Sequence, residues 1–297
     1  MDLKHFLAVS MAFGFVGVAF GTETNQAFGS DWSALTAATD YSYVGASHAK
    51  FPGAERSDAD AQTAGGALLG RIPVRDGWFV PVNVNYQHIS IEQVKGAPVP
   101  QNLDLLRIGT GLGCRFTSNL TVSASAGPLF YNLEEVRTSS LGFGGAIMAS
   151  YVLNPRLRLA TGIAINPDSR FPVFPMTGVN WKIRDDLTLD VGTPKTRLVY
   201  RFAPKATVYT GAGFQYGTFR TGDTLAGATG VPGFNNAIGT YEDVRVGAGL
   251  GYEIDKQLSA EIEGGYSVFR RIDYTRLHEH VNFTPGPYVQ CGLRFRF

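Results

Sequence analysis

The last nine residues alternate without exception: Val289, Cys291, Leu293, Phe295 and Phe297 take every second position, and Gln290, Gly292, Arg294 and Arg296 lie between them. Successive side chains of an extended backbone point to opposite faces, so this pattern specifies a strand with one apolar and one polar face. From about Thr36 onward the same unit recurs, roughly ten alternating residues and then a turn. Strands are expected near 36–47, 62–72, 78–91, 103–115, 119–131, 138–152, 156–165, 173–183, 187–192, 196–202, 205–217, 241–254, 258–270 and 288–297. That makes fourteen. The ninth and tenth are short for a membrane span of ~9 to 11 residues, so twelve full strands plus a stub is the alternative. A chain with 36 glycines, 20 phenylalanines, 13 tyrosines and 17% charged residues fits β architecture better than a helical bundle or a disordered chain.

A soluble sandwich alternates in the same way, with its apolar face turned inward. Three features favour a closed transmembrane barrel instead. Short connections such as Arg75-Asp76-Gly77, Asn154-Pro155 and Ala203-Pro204 alternate with longer loops at 47–60, 92–101, 132–138, 166–172, 218–239 and 271–287. Short turns at one end and long loops at the other are the outer-membrane arrangement, which only the tight turn Thr193-Pro194-Lys195 breaks. The polar face carries period-two glycines, as in Gly109, Gly111 and Gly113 or Gly247, Gly249 and Gly251. These suit small lumen-facing positions, whereas a phosphate-binding loop needs other spacing and a following helix. Aromatic residues on the apolar face gather at strand ends: Trp78, Phe116, Tyr151, Trp181, Phe202 and Phe297 toward the turns, and Tyr86, Phe130, Tyr216 and Tyr266 toward the loops. Two such belts are what headgroup interfaces select.

The chain starts Met1-Asp-Leu-Lys-His5, followed by an apolar run from Phe6 to Phe20 and the small-residue site Ala19-Phe20-Gly21. This reads as a cleaved secretory signal peptide over 1–21. A short periplasmic segment (22–35) and an outer-membrane all-β, up-and-down antiparallel barrel (36–297) follow, with no second soluble domain. Cys114 and Cys291 are too few for a disulfide framework and fall on lipid-facing positions of separate strands, so both are expected as free thiols. A net charge of +1 leaves no electrostatic footprint for nucleic acid.

The run Phe174-Pro-Met-Thr-Gly-Val-Asn-Trp181, then Leu187-Thr-Leu-Asp190, Pro194 and Leu198-Val-Tyr-Arg-Phe202, resembles an uncharacterised family of outer-membrane β-barrels known only as a domain of unknown function. The resemblance covers most of the mature chain. It implies fold and location, and carries no assigned functional residues.

By parity the lumen is lined by Arg107, Arg115, Arg158, Lys182, Arg184, Arg197, Arg201, Arg245, Arg294 and Arg296, against Asp190, Glu253, Glu261 and Glu263. A water-filled pore with that lining favours anionic solutes. The competing reading, preferred on sequence, pairs Arg245, Arg294 and Arg296 with Glu253, Glu261 and Glu263 on neighbouring strands as a structural ladder. On the outward face, His88 and Ser90 lie beyond Tyr86, with Asn102 and Asp104 opening the next strand. This His-x-Ser spacing is similar to that of the outer-membrane phospholipase A family, in which an Asn orients the imidazole. It would make His88, Ser90 and Asn102 a lipid-hydrolysing set, against a plain interfacial histidine. His278-Glu279-His280 lacks metalloprotease spacing and partner ligands, so no metal and no cofactor are expected. The loop at 218–239 is expected to constrict the lumen or cover its mouth. Three functions follow in order: a passive or weakly selective channel for small solutes, a lipid hydrolase, and a structural or surface barrel with a filled lumen. The expected partners are outer-membrane lipids and the barrel assembly machinery. The latter would read the terminal-strand signal in Val289, Leu293, Phe295 and Phe297.

Overall fold

The first and last strands of a sheet expose unpaired N–H and C=O groups, which lipid cannot satisfy. The computed structural model, which describes residues 35–54, 58–133 and 140–297, removes those edges by closure. Its fourteen barrel strands are β1 (Thr36–Val44), β2 (Ala61–Arg75), β3 (Trp78–Ile91), β4 (Asn102–Arg115), β5 (Leu120–Tyr131), β6 (Leu141–Asn154), β7 (Leu157–Ile165), β8 (Val173–Lys182), β9 (Leu187–Gly192), β10 (Lys195–Ala203), β11 (Ala206–Arg220), β12 (Ile238–Glu253), β13 (Leu258–Tyr274) and β14 (Gly286–Arg296). They follow chain order around one antiparallel ring. β1 closes it against β14, from Thr36↔Arg296 to Val44↔Tyr288.

Fourteen strands, and not twelve plus a stub, make the wall, because the short β9 and β10 pair with both of their neighbours. The long-loop end holds structure that alternation did not announce. Two short strands, Ala49–Lys50 and Glu279–Phe283, pair with each other, and a helix α1 (Leu225–Thr229) sits in the loop between β11 and β12. The expected signal peptide, the segment before Leu35 and Thr138 lie outside the described residues.

Outward positions are apolar and exposed, as in Leu112, Phe143, Ile147, Leu250, Ile262 and Leu293. Exposed apolar residues on every side of a closed wall are the face a bilayer requires. Trp78, Phe116, Tyr151, Trp181, Phe202 and Phe297 are all exposed at the short-turn end, as a belt there demands. Inside, glycines make room for rings on adjacent strands. A Cβ at Gly249 would fall within the Tyr209 ring, one at Gly247 on the Tyr288 hydroxyl, and one at Gly113 within the Phe79 ring. The period-two glycines therefore let inward aromatics lie flat across their neighbours.

One strand leaves the regular wall. β9 and β10 stop early: Gly178↔Gly192 is the last pair between β8 and β9, and on β11 pairing with the hairpin ends at Gly213, with Phe214 N–H donating to the Pro194 carbonyl. Above this hairpin no strand pairs with residues 173–177 of β8 or residues 215–220 of β11 on the sides the hairpin serves below. Pro175 fits there, since proline is tolerated where a ladder bond is not required. β11 leans across the lumen until its Cα atoms come within 8 Å of those of β4, which lies opposite in the ring, and of β5. At the crossing, a Cβ on Gly217 would stand 3.0 Å from Gln87 Oε1. This overturns one expectation: Tyr216 belongs to no outer belt. It is 3% exposed, its hydroxyl hydrogen-bonded to Ser169, because its strand has moved inside the wall line and the loop at 166–172 covers it.

The long-loop end is shut by an apolar core. Ile89, Ile91, Leu103, Phe219, Tyr241, Ile272 and Tyr274 from the strands pack with Val94, Val99, Leu225 and Phe234 from the loops. The Phe234 ring meets Tyr274 edge-on at 4.9 Å, and the Tyr274 hydroxyl donates to the Pro98 carbonyl at 2.6 Å. The loop at 218–239 thus covers the mouth.

Candidate functional site

Below that cap the inward side chains are charged, and they meet across the lumen. Lys195 sits at the start of β10, where the tight turn delivers it inward. Its Nζ donates to Glu263 Oε2 on β13 at 3.1 Å, and both side chains are 10% exposed. One step toward the short turns, Arg197 Nη1 lies 3.4 Å from Glu261 Oε2. β10 and β13 are three places apart in the ring, so these pairs are chords across the lumen and form a diaphragm. Tyr288 also donates to Glu263, Asn180 donates to Asp190, and the Arg197 guanidinium lies over the Tyr209 ring at 5.2 Å.

The diaphragm separates two cavities. On the short-turn side a vestibule of about 370 Å³ is lined by six basic side chains (Arg197, Arg201, Lys205, Lys256, Arg294, Arg296) and four acidic ones (Asp190, Glu253, Asp255, Glu261). On the loop side a small cavity of about 100 Å³ is lined by Asp40, Asn85, Gln87, Lys195, Arg245, Glu263 and Gln290, and it reaches Pro194, Phe214 and Tyr216 beside the short hairpin. At the rim, the exposed Asp255 carboxylate accepts from the backbone N–H groups of Gln257 and Leu258 at 2.7 Å each. Those bonds stabilise its charged form and hold its pKa below the ordinary 3.8.

The expected neighbouring-strand ladder is not what forms. Arg245 pairs at 2.8 Å with Asp243 of its own strand and donates to Gln215 on β11. The three glutamates take partners from β10 instead: Glu263 with Lys195, Glu261 with Arg197, and Glu253 with Arg201 at 3.5 Å. A side chain as long as arginine or lysine spans a narrow lumen, so opposite charges meet along chords rather than between adjacent strands. Arg294 and Arg296 stay in the vestibule wall. Of the remaining expected lining, Arg107 is 7% exposed on β4, Arg115 lies at the turn end near Arg71, Lys182 pairs with Asp185 at 3.2 Å, and Arg184 pairs with Asp186. Arg158 takes an inward position on β7, between outward neighbours. Lys195, Tyr209 and Tyr288 were missed from sequence. Lys195 read as part of a turn, and the tyrosines read as ordinary strand residues opposite glycines.

On the outward face, His88 Nδ1 lies 2.9 Å from Asp104 Oδ1, which also accepts from the Tyr86 hydroxyl at 2.9 Å. The imidazole is therefore oriented by Asp104, paired opposite it, and not by Asn102, which stands opposite Ser90. Among the described residues Ser90 makes no hydrogen bond to His88. Cys114 and Cys291 are both free thiols. Among the described residues no group of three His, Cys, Asp or Glu gathers to hold a metal ion.

The profile of the family described as "Domain of unknown function (DUF6268)" matches residues 75–296, from the first short turn to the end of the closing strand. The chain belongs to this family. No curated protein matches the DUF6268 chain. Among solved structures it is similar to the COG4313 outer membrane channel from Pseudomonas putida F1, at 12% identity over 90% of this chain and 98% of that one, with a TM-score of 0.42. It is also similar to the P. putida toluene transporter TodX, at 13% identity over 88% and 89% with a TM-score of 0.37, and to the KdgM porin, at 10% over 88% and 99% with a TM-score of 0.33.

Proposed function

We propose that this DUF6268 barrel is an outer-membrane channel for small solutes, closed at its extracellular mouth in the state described here. The observation that carries this reading is the pair of cavities, each bordered by charged side chains, stacked on either side of one ion-pair layer. A barrel whose lumen served only packing would fill that space with side chains. The charges spanning it are held in pairs that need only separate, not unfold, to widen the passage. On this reading the short turns and both chain ends face the periplasm, the protein is exported there by the N-terminal signal, and the assembly machinery of a Gram-negative cell recognises β14.

With six basic and four acidic side chains, the vestibule gives the channel a mild preference for anions, because lumen charge sets selectivity. Planar-bilayer recording tests the proposal. Purified, refolded protein is compared with a variant in which the 222–236 stretch is replaced by a short Gly-Ser turn. The expected result is a small or intermittent conductance that becomes steady and ohmic on loop removal. Absence of conductance from both proteins overturns it. Arg294→Ser with Arg296→Ser is expected to shift the reversal potential toward cations without abolishing current.

A further inference from the structure

The interruption in the wall above the short hairpin is framed on all four sides. Its sill is the turn at Thr193-Pro194, where β9 and β10 end, and its jambs are residues 173–177 of β8 and 215–220 of β11. Its lintel is the loop at 166–172, fastened across the gap by Arg170 to Glu242 and Asp273 at 3.4 and 3.3 Å and by Asp168 to Arg276 at 3.0 Å. A hairpin this short stops within the bilayer while its neighbours continue, so the frame opens at the level of the outer leaflet.

Behind the frame the inward residues of β6, β7 and β8 are apolar: Ala146, Ala164, Phe174 and Met176 cluster with Met148 and Phe171. This contrasts with the charged side chains of the diaphragm and the vestibule. The loop-side cavity reaches the sill at Pro194 and Phe214, and beneath the diaphragm lies the vestibule with its excess of basic side chains. The axial mouth is capped, but this side has only the framed gap.

We propose that the gap between β8 and β11 is a lateral port through which an amphipathic monoanion, a compact apolar tail bearing a carboxylate, passes from the outer leaflet into the lumen. The tail is accepted by Phe174 and Met176, and the head is drawn on by the basic vestibule. Water-soluble ions have no reason to enter through an apolar frame facing lipid. This inference rests on the channel reading and adds a second, lipid-facing access to it.

The test places the full barrel in lipid nanodiscs with decanoic acid carrying a diazirine at its tail, photolyses it and maps adducts by mass spectrometry. Adducts on Phe174, Met176 and Phe214 that excess unlabelled decanoate removes are the expected result, alongside non-competed labelling of the lipid-facing Leu250. Lengthening the β9–β10 hairpin by two residues on each strand, which keeps parity and extends the wall upward, is expected to abolish the competed adducts and spare Leu250. Should that variant not fold, a bulky polymer-maleimide on Thr177→Cys, in a Cys291→Ser background, supplies the same block at the outer side of the jamb. Labelling confined to lipid-facing positions, or lumen adducts that both blocks leave intact, overturns the port. A barrel that conducts after loop removal yet shows no competed adducts keeps the channel and loses the port. One that never conducts loses the channel itself.

Discussion

Lys195 and Glu263, 3.1 Å apart, come from strands three places apart in the ring and meet in the lumen, where each is almost fully withdrawn from solvent. Such a pair is stabilising only while both members are present, because either charge alone is stranded. Lys195→Met is therefore expected to destabilise the barrel by about 3 to 5 kcal/mol. The double variant Lys195→Met with Glu263→Leu is expected to recover most of that loss. Urea unfolding of the refolded protein in lipid vesicles measures both, and equal losses in the single and double variants would refute the pairing.

Gly249 faces the Tyr209 ring so closely that no side chain fits between them. Gly249→Val is expected to cost about 1 to 3 kcal/mol by overpacking. Tyr209→Ala in the same molecule vacates the space, so the two changes together are expected to fall short of the sum of their separate costs. A double-mutant cycle on unfolding midpoints reads this directly.

The cap depends on the contact between Phe234 and Tyr274. Phe234→Ala removes a 6%-exposed ring from a core shared by loops and strands. Such truncations cost about 3 to 5 kcal/mol, more than a loop closure can spare, so the loop is expected to open while the barrel remains. The expected signature is faster amide exchange and protease cleavage within 222–236, together with raised conductance and an unchanged barrel unfolding midpoint.

Asp255 gives a pH dependence of known sign. Its pKa is depressed in the folded state by two backbone N–H donors. Its contribution is thus fully present above the ordinary 3.8 and lost as pH falls through the lower folded value. Asp255→Asn is expected to lower the unfolding midpoint at neutral pH and to flatten its decline below about pH 4. An identical acid profile in wild type and variant would exclude this turn as a contributor.

On the outer face, the carboxylate orienting His88 is in place while Ser90 stands apart from the imidazole. Ser90→Ala is expected to leave lipid hydrolysis by refolded protein in mixed micelles at background, as in the wild type. Asp104→Asn is expected to move the His88 ring resonances seen by NMR, because the contact that orients Nδ1 is altered. Serine-dependent fatty-acid release above background would reinstate the hydrolase reading.

Twelve of the barrel strands, the closed ring and the in-or-out facing of most strand residues were determined by sequence alone, while the place of the short β9 and β10 in the wall was settled by their pairing. Alternation at period two is local, and in a membrane each strand has only lipid or lumen to face. His88 and Asp104 could be placed on one face by parity in the same way. The pairing of charges was decided only by tertiary structure. Which arginine meets Glu261 or Glu263 depends on how narrow the lumen is and where β10 begins, and both follow from ring closure. The inward lean of β11, which hides Tyr216, also lay beyond the sequence pattern. The neighbouring β9–β10 hairpin is too short to hold that strand in the wall, and no residue on β11 itself records it.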